Sequence, residues 1–261
     1  MKSEKNSEFL QVALDAARAA ADLSMEYYAT DLEVTLKADR SPVTEADVRA
    51  EKLIRERITA AFPEHGFFGE ETGRSNQDSE YLWLVDPIDG TKSFIRGYPF
   101  FSTQIALMKD GVVQLGVSAA PAMQETAWAE RGSGAWLNGQ RLAVSTIEEP
   151  TNASISLSNI ARLAASDGWA ALGEITAEAD RQRGFGDYYS YHLLASGKIE
   201  AVVESAVNIL DIAALSVIVE ESGGIFTDLN GRPPSVETTT VLAANAALHA
   251  YYLEKLRGFL D

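Results

Sequence analysis

Residues 81–103 read Tyr81-Leu82-Trp83-Leu84-Val85-Asp86-Pro87-Ile88-Asp89-Gly90-Thr91-Lys92-Ser93-Phe94-Ile95-Arg96-Gly97-Tyr98-Pro99-Phe100-Phe101-Ser102-Thr103. Leu82 to Val85 is a short apolar run, the pattern of a buried strand. Pro87 has no amide proton for a sheet ladder, so the strand is expected to stop there. Asp86 and Asp89 flank that stop, and Gly90 and Thr91 follow. Carboxylates where a buried strand breaks into a loop are costly unless a positive charge neutralises them. A divalent cation does this most simply, and hard oxygen ligands suit magnesium.

Such a site needs further carboxylates from distant parts of the chain. Gly69-Glu70-Glu71-Thr72 follows the apolar pair Phe67-Phe68, again at a possible strand end. Taken alone, Glu70 and Glu71 also read as solvated loop carboxylates. Asp211 opens a long apolar segment closed by Gly223-Gly224, which reads as a helix stopped by glycines. Asp211 there is either a helix cap or a ligand favoured by the helix dipole. Thr44-Glu45-Ala46-Asp47 fits a capping box with Asp in place of the usual Glu, so Asp47 has a structural reading too.

These segments together resemble the inositol monophosphatase family of magnesium-dependent, lithium-sensitive phosphatases. The run from Asp86 to Pro99 resembles the family's central motif. Gly69-Glu70-Glu71 is similar to its upstream ligand motif, and Asp211 through Gly224 to its C-terminal motif. Ser41-Pro42-Val43-Thr44-Glu45-Ala46-Asp47 is similar to a fourth element. The resemblance runs in order over nearly the whole chain. One departure is Leu210, where the family usually carries a packing Trp.

The composition is compatible with this. The chain has 261 residues, 46% of them apolar, enough for one large domain or two modest ones. It has no cysteine, which excludes disulfides and thiolate metal sites. Carboxylates and three histidines, His65, His192 and His249, remain as metal ligands. His192 is expected on a helix face as a packing or surface group, and the other two have no partner legible in sequence. The net charge of −16 argues against a nucleic-acid binder. An acidic chain still binds an anionic phosphate when metal ions sit between them. No apolar run reaches the roughly 18 residues of a membrane helix. The N-terminus leads into an amphipathic stretch rather than a secretory signal, so a cytoplasmic protein is expected.

In chain order, residues 7–28 predict a helix with Ser7 as cap and Leu10, Leu14, Ala17 and Ala21 on one face. Asp39 to Pro42 is a turn-rich break. Thr44 to Ala61 predicts a second helix with Ala50, Leu53, Ile54, Ile58 and Ala61 inward. The polar segment Thr72–Ser79 is expected as a loop able to act as a lid. Hairpins are expected about Lys109-Asp110-Gly111 and Asn138-Gly139, with a strand at Glu125–Glu130 between them. The pattern changes near Glu148-Glu149-Pro150. Beyond it, strands at 153–157, 199–203, 225–228 and 239–243 alternate with helices at 162–179, 188–196, from 211, and 246–259. The expected fold class is α/β, an α+β half over residues 1–150 and an α/β half over 151–261. The resemblance implies the five-layer α-β-α-β-α sandwich of the inositol monophosphatase and fructose-1,6-bisphosphatase type, with the active site between the halves.

The resemblance also implies roles. Glu70, Asp86 and the carbonyl of Ile88 would hold one magnesium ion, and Asp86, Asp89 and Asp211 another, with manganese or zinc as possible substitutes. Two or three such ions neutralise phosphoryl oxygens, generate hydroxide near pH 7 and stabilise the leaving alkoxide. Asp47 and Thr91 would orient and deprotonate the attacking water. The amides of Gly90 and Thr91 would bind phosphate at a helix start. Asp187, where inositol-hydrolysing relatives carry small residues, makes the chain resemble the histidinol-phosphate phosphatase branch of histidine biosynthesis. Asp187 could accept a charge-assisted hydrogen bond from the histidinol ammonium, or merely cap the helix after it. Glu204 matches a position that contacts the leaving group, whereas Tyr188, Tyr189 and Tyr191 read as packing residues. The expected partner is thus a small phosphate monoester, L-histidinol phosphate, bound by a homodimer with no nucleic acid or membrane. Competing readings are an inositol-1-monophosphatase or broad sugar-phosphate phosphatase, an interaction protein of the transcription machinery, and a passive metal buffer.

Overall fold

The computed structural model describes residues 6–30, 34–36, 42–76 and 78–257. The order begins α1 (Glu8–Tyr27), β1 (Val34–Leu36), β2 (Pro42–Thr44) and α2 (Glu45–Ala61). There follow β3 (Gly66–Gly69), β4 (Gly73–Ser75), β5 (Tyr81–Asp89), α3 (Thr91–Phe94), β6 (Ser102–Lys109), β7 (Val112–Ala120), β8 (Glu125–Glu130), β9 (Gly134–Leu137) and β10 (Gln140–Arg141). The rest is β11 (Ser154–Leu157), α4 (Ile160–Ala164), α5 (Trp169–Glu178), β12 (Arg181–Arg183), α6 (Asp187–Ala195), β13 (Ala201–Ser205), α7 (Ile209–Glu221), β14 (Gly224–Thr227), β15 (Thr240–Asn245) and α8 (His249–Leu256).

Strands β3 to β10 form an eight-stranded sheet in the order β10-β9-β8-β7-β6-β5-β3-β4. Its pairings are antiparallel except for β3 with β5. The second sheet has the order β12-β11-β13-β15-β14, with β11 parallel to both of its neighbours.

The alternation of side chains along each strand builds the layers. Trp83 and Val85 face a core shared with α1 and α2, whereas Leu84 faces the opposite side. Leu84 joins Ala106 and residues of α6 and α7, together with Val202 and Ala243 of the second sheet. The other face of that sheet, with Ala201, Val203, Leu242 and Ala244, packs on α4, α5 and α8. The result is the five-layer α-β-α-β-α sandwich. Helix α7 lies between the two sheets, and every residue from Ile212 to Val219 is buried. That all-round burial explains its lack of an amphipathic stripe. Leu210 fills its place in this central core at 4% exposure, so the missing Trp leaves no polar replacement.

Most sequence expectations hold, including Ser7 as the cap of α1 and both hairpin turns, where Asp110, Gly111, Asn138 and Gly139 all have positive φ. Several do not. Strand β5 continues through Pro87 to Asp89; the ladder pairs Asp86 with Gln104 and next Asp89 with Ser102, so the proline sits in a bulge and not at a terminus. Ala61 is exposed at the last turn of α2. The helix expected at 162–179 is two, α4 and α5, separated by a turn through Asp167-Gly168. The expected lid is partly strand: β4 pairs antiparallel with β3, and Arg55 donates to Thr72 and Ser75. The helix start expected at Gly90-Thr91 is the short α3, whereas strands β1, β2 and β12 were not foreseen. Asp39, Arg40 and Ser41, and the last helix beyond Arg257, lie outside the described residues.

Because α7 is gripped on both sides, Ile218→Ala should cost about 2–5 kcal/mol. Val48→Ala, at an exposed position of α2, should stay within about 0.5 kcal/mol. Urea denaturation of both variants checks this contrast.

Candidate active site

The bulge in β5 is the local device that builds the site. Asp86 and Asp89 are three positions apart, yet their ladder partners Gln104 and Ser102 are only two apart. The irregularity brings both carboxylates toward the start of α7. Oxygens of Asp86, Asp89 and Asp211 all lie within 4.8 Å of one another. Asp86 accepts from the Ile88 amide at 3.0 Å, and Asp89 from the Ser102 hydroxyl at 3.3 Å. Asp211 is third in α7 and closes a capping box: its carboxylate accepts from the Asn208 amide at 2.9 Å and from Asn208 Nδ2 at 2.7 Å.

Asp47 closes a second capping box at the start of α2. Its Oδ2 accepts from the Thr44 amide at 2.7 Å and the Thr44 hydroxyl at 2.6 Å. Its Oδ1 lies 3.4 Å from Thr91 Oγ1, which is also 3.1 Å from the Ile88 carbonyl. Capping and site duty are therefore not alternatives for Asp47 and Asp211, because a carboxylate has about four lone-pair positions to share. Glu70 follows β3 directly, and its charge acts on Asp47, Asp86 and Asp211.

Gly90 has φ +84, and a side-chain carbon there would stand 2.6 Å from the Phe100 carbonyl oxygen. Only glycine fits at this turn from β5 into α3. Across from it, Asp187 Oδ2 lies 3.4 Å from the Ser93 hydroxyl. Asp187 itself has φ +48, and α6 has no side-chain cap. The capping alternative for Asp187 is thereby set aside: Gly186 is the cap residue, and the carboxylate turns toward the β5–α3 loop.

A cleft of about 130 Å³ opens beside the cluster, lined by Asp89, Asp187, Glu204, Asp211, Tyr191 and Asn159 among others. Tyr191 and Asn159 are additions to the sequence reading. The Tyr191 hydroxyl donates to Glu204 at 2.6 Å, and Asn159, at φ +53 after β11, donates to the Ser205 carbonyl. Asn159 lies two residues beyond β11, and its left-handed backbone is a property of the fold that the sequence does not display. His192 is buried with both ring nitrogens bonded, and not a surface group. His65 accepts from Trp83, and His249 bonds Thr227, both away from the cleft.

Burial pushes the proton affinities of these carboxylates upward, and their mutual repulsion adds to it. Burial comes first for Asp86, then the charges of Glu70, Asp89 and Asp211. For Asp89 burial is followed by Asp187, Asp211 and Glu204. Glu204 is pushed up to about 8 and Asp211 to about 6, again by burial first. Among the described residues, Asp86, Asp89 and Asp211 make no ion pair with a Lys or Arg. Converging, partly buried oxygens under such repulsion fit hard divalent cations.

The folded protein without metal should thus bind protons that the unfolded chain, with Glu near 4.3, releases. Where the folded state holds more protons, stability falls as pH rises. With chelator present, raising pH from 7 to 9, a window above the histidine titrations, should lower Tm by about 4 °C. Millimolar magnesium should abolish the fall by favouring the ionised carboxylates. Calorimetry with and without chelator checks both, and a flat chelated profile contradicts the electrostatic reading.

Comparison with known proteins covers the whole of this arrangement. A sequence model of the inositol monophosphatase family matches residues 5–259. The chain is 40% identical over 240 residues to a histidinol-phosphatase of Chlorobaculum parvum, spanning 92% of this chain and 93% of that protein. It is 38% identical to a histidinol-phosphatase of Mycobacterium tuberculosis, spanning 95% and 98%. Among solved structures, extragenic suppressor protein suhB of Bartonella henselae superposes with a TM-score of 0.88 at 30% identity, covering 97% of this chain and 99% of that one.

Proposed function

The chain belongs to the inositol monophosphatase family, and from that premise we propose that it hydrolyses L-histidinol phosphate to L-histidinol and phosphate. The observation that carries the choice of substrate is Asp187. Its carboxylate stands over the Gly90–Ser93 turn and lines one cleft with Glu204 and the candidate metal ligands. A leaving group with an ammonium gains both charge attraction and a hydrogen bond from an acidic wall; a neutral polyol gains only the hydrogen bonds. The relatives named histidinol-phosphatase, at 38% and 40% identity, support the same choice.

Asp86, Asp89, Asp211, Glu70 and the carbonyl of Ile88 would hold the divalent cations, and the all-oxygen set favours magnesium. When bound, these ions would neutralise phosphoryl oxygens and acidify water. Thr91 and Asp47 would move the proton. Oγ1 of Thr91 takes it from the attacking water as its own proton passes to Asp47 Oδ1, and burial raises the basicity of that carboxylate. The water oxygen bonds to phosphorus, the ester oxygen departs, and the proton gained by Asp47 passes through solvent to that oxygen to give the alcohol. The backbone amides of Gly90 and Thr91 would orient the phosphoryl group.

With magnesium, kcat/KM for histidinol phosphate should exceed that for inositol 1-phosphate; the reverse order would sink the assignment. Asp187→Asn is the informative change, because Asn tolerates the positive φ that Ala does not. It should lower kcat/KM for histidinol phosphate by about 10- to 100-fold, the worth of a hydrogen bond to a charged group. Glycerol phosphate should change by less than about threefold, and equal losses would remove Asp187 from recognition. Thr91→Ala should cut kcat by about 10²- to 10⁴-fold with calorimetric metal binding retained. Retained turnover would exclude Thr91 from proton transfer.

A further inference from the structure

Strands β6 and β7 are buried almost throughout, yet carry Ser102, Gln104 and Ser118, each at 0% exposure. Polar side chains in such a layer are costly unless they bond one another. These do. Gln104 Nε2 donates to Ser102 Oγ at 2.7 Å and to Ser118 Oγ at 3.0 Å. Ser118 Oγ lies 2.9 Å from His192 Nε2, and His192 Nδ1 lies 2.9 Å from Glu125 Oε2. At the other end Ser102 Oγ donates to Asp89.

The chemistry of the groups assigns a direction to each bond in this chain. Glu125 is held ionised by its hydrogen bond from His192, and a carboxylate only accepts, so Nδ1 carries the proton. Burial keeps the imidazole neutral, so Nε2 accepts from the Ser118 hydroxyl. Ser118 Oγ then accepts from Gln104, whose second N–H goes to Ser102, leaving the Ser102 proton for Asp89. Gln104 Oε1 is left without a partner among the described residues. The flipped amide would be worse: its oxygen would compete for the Ser102 proton and deprive Asp89, and two buried donors would be stranded. The sheet register supports the line, since Asp89 pairs with Ser102, Asp86 with Gln104, and Gln104 with Ser118.

We propose that Glu125, His192, Ser118, Gln104 and Ser102 form a positioning relay that fixes the Asp89 carboxylate for a divalent cation; this rests on the metal-site reading above. By holding Oδ2 as an acceptor, the relay settles the rotation of Asp89 and the direction in which its remaining lone pairs face Asp86 and Asp211. It also ties the cluster to α6, because His192 stands five positions after Asp187 on that helix.

Calorimetric titration of the full chain with manganese alone tests this. Ser118→Ala breaks the relay without touching Asp89 and should weaken manganese binding about 10-fold, the usual cost of losing a partner behind a ligand. Ser102→Ala should cost the same, and the double variant no more than either, because both cut one line. Glu125→Leu, at the far end, provides a second cut should Ser118→Ala fold poorly. Glu125→Gln, which keeps an acceptor, should restore affinity to within about threefold. A merely structural Ser118 would lower Tm and leave manganese affinity unchanged. That result, or an additive double variant, overturns the relay alone. A wild-type protein that takes up no manganese would overturn the metal reading and the relay together.

Discussion

The repulsion among carboxylates gathered at one seam is the constraint to which the rest of this structure answers. Asp47, Glu70, Asp86, Asp89, Asp187, Glu204 and Asp211 come from segments spread from the second helix to the seventh. Two unit charges about 4 Å apart repel by roughly 4 kcal/mol at an effective dielectric near 20. Burial first, and this repulsion after it, push up the proton affinities of Asp86, Asp89, Glu204 and Asp211. A rigid frame is therefore needed to keep them together, and the five layers supply it. Helix α7, buried on both sides, fixes Asp211, and the long antiparallel ladder of β5 with β6 fixes Asp86 and Asp89.

Each carboxylate is held by a local device as well as by the frame. Asp47 and Asp211 close capping boxes, so the hydrogen bonds that start α2 and α7 also aim a carboxylate at the seam. Asp86 is restrained by the Ile88 amide within its bulge. Glu51 deals with the loop that carries Glu70. Fully buried on α2, it accepts from the amides of Glu71 and Thr72. A side-chain carbon at Gly69 would sit 2.4 Å from the Glu51 carboxyl, so glycine is what lets that carboxylate approach the loop.

The contrast between what the sequence revealed and what it concealed follows the range of the interactions. Signals carried by neighbours in the chain were legible: the capping box at Thr44–Asp47, the helix start near Asp211, the glycine-bearing hairpin turns, and the apolar run before Asp86. The resemblance that these motifs carry in order was enough to expect the sandwich. Interactions across long separations were not legible. His192 finds Glu125 and Ser118 at separations of 67 and 74 residues, and nothing near it in sequence names either partner. Asp187 was ambiguous because helix-start preference and site duty favour the same residue type; its positive φ, a three-dimensional property, speaks against the cap. Short edge strands such as β4 and β12 were missed since three residues carry too little periodicity to register.

An acidic cleft that handles an anion presents an apparent contradiction, and the positions of the charges resolve it. The carboxylates at the base of the cleft face one another, so cations bound there would reverse the sign of the field where a phosphoryl group would lie. Asp187 and Glu204 line the same cleft but are not among the three residues whose oxygens converge. The Tyr191 hydroxyl donates to Glu204, a bond that favours its ionised form against the burial that opposes it. Cations at the base would act in the same direction, because they would offset the repulsion from Asp211 and Asp187 that, after burial, helps keep Glu204 protonated. Metal loading and the negative charge offered to a cationic leaving group would thereby be linked through the electrostatics of one cleft. A leaving group without positive charge would meet the same carboxylates and have to be accommodated by hydrogen bonds alone.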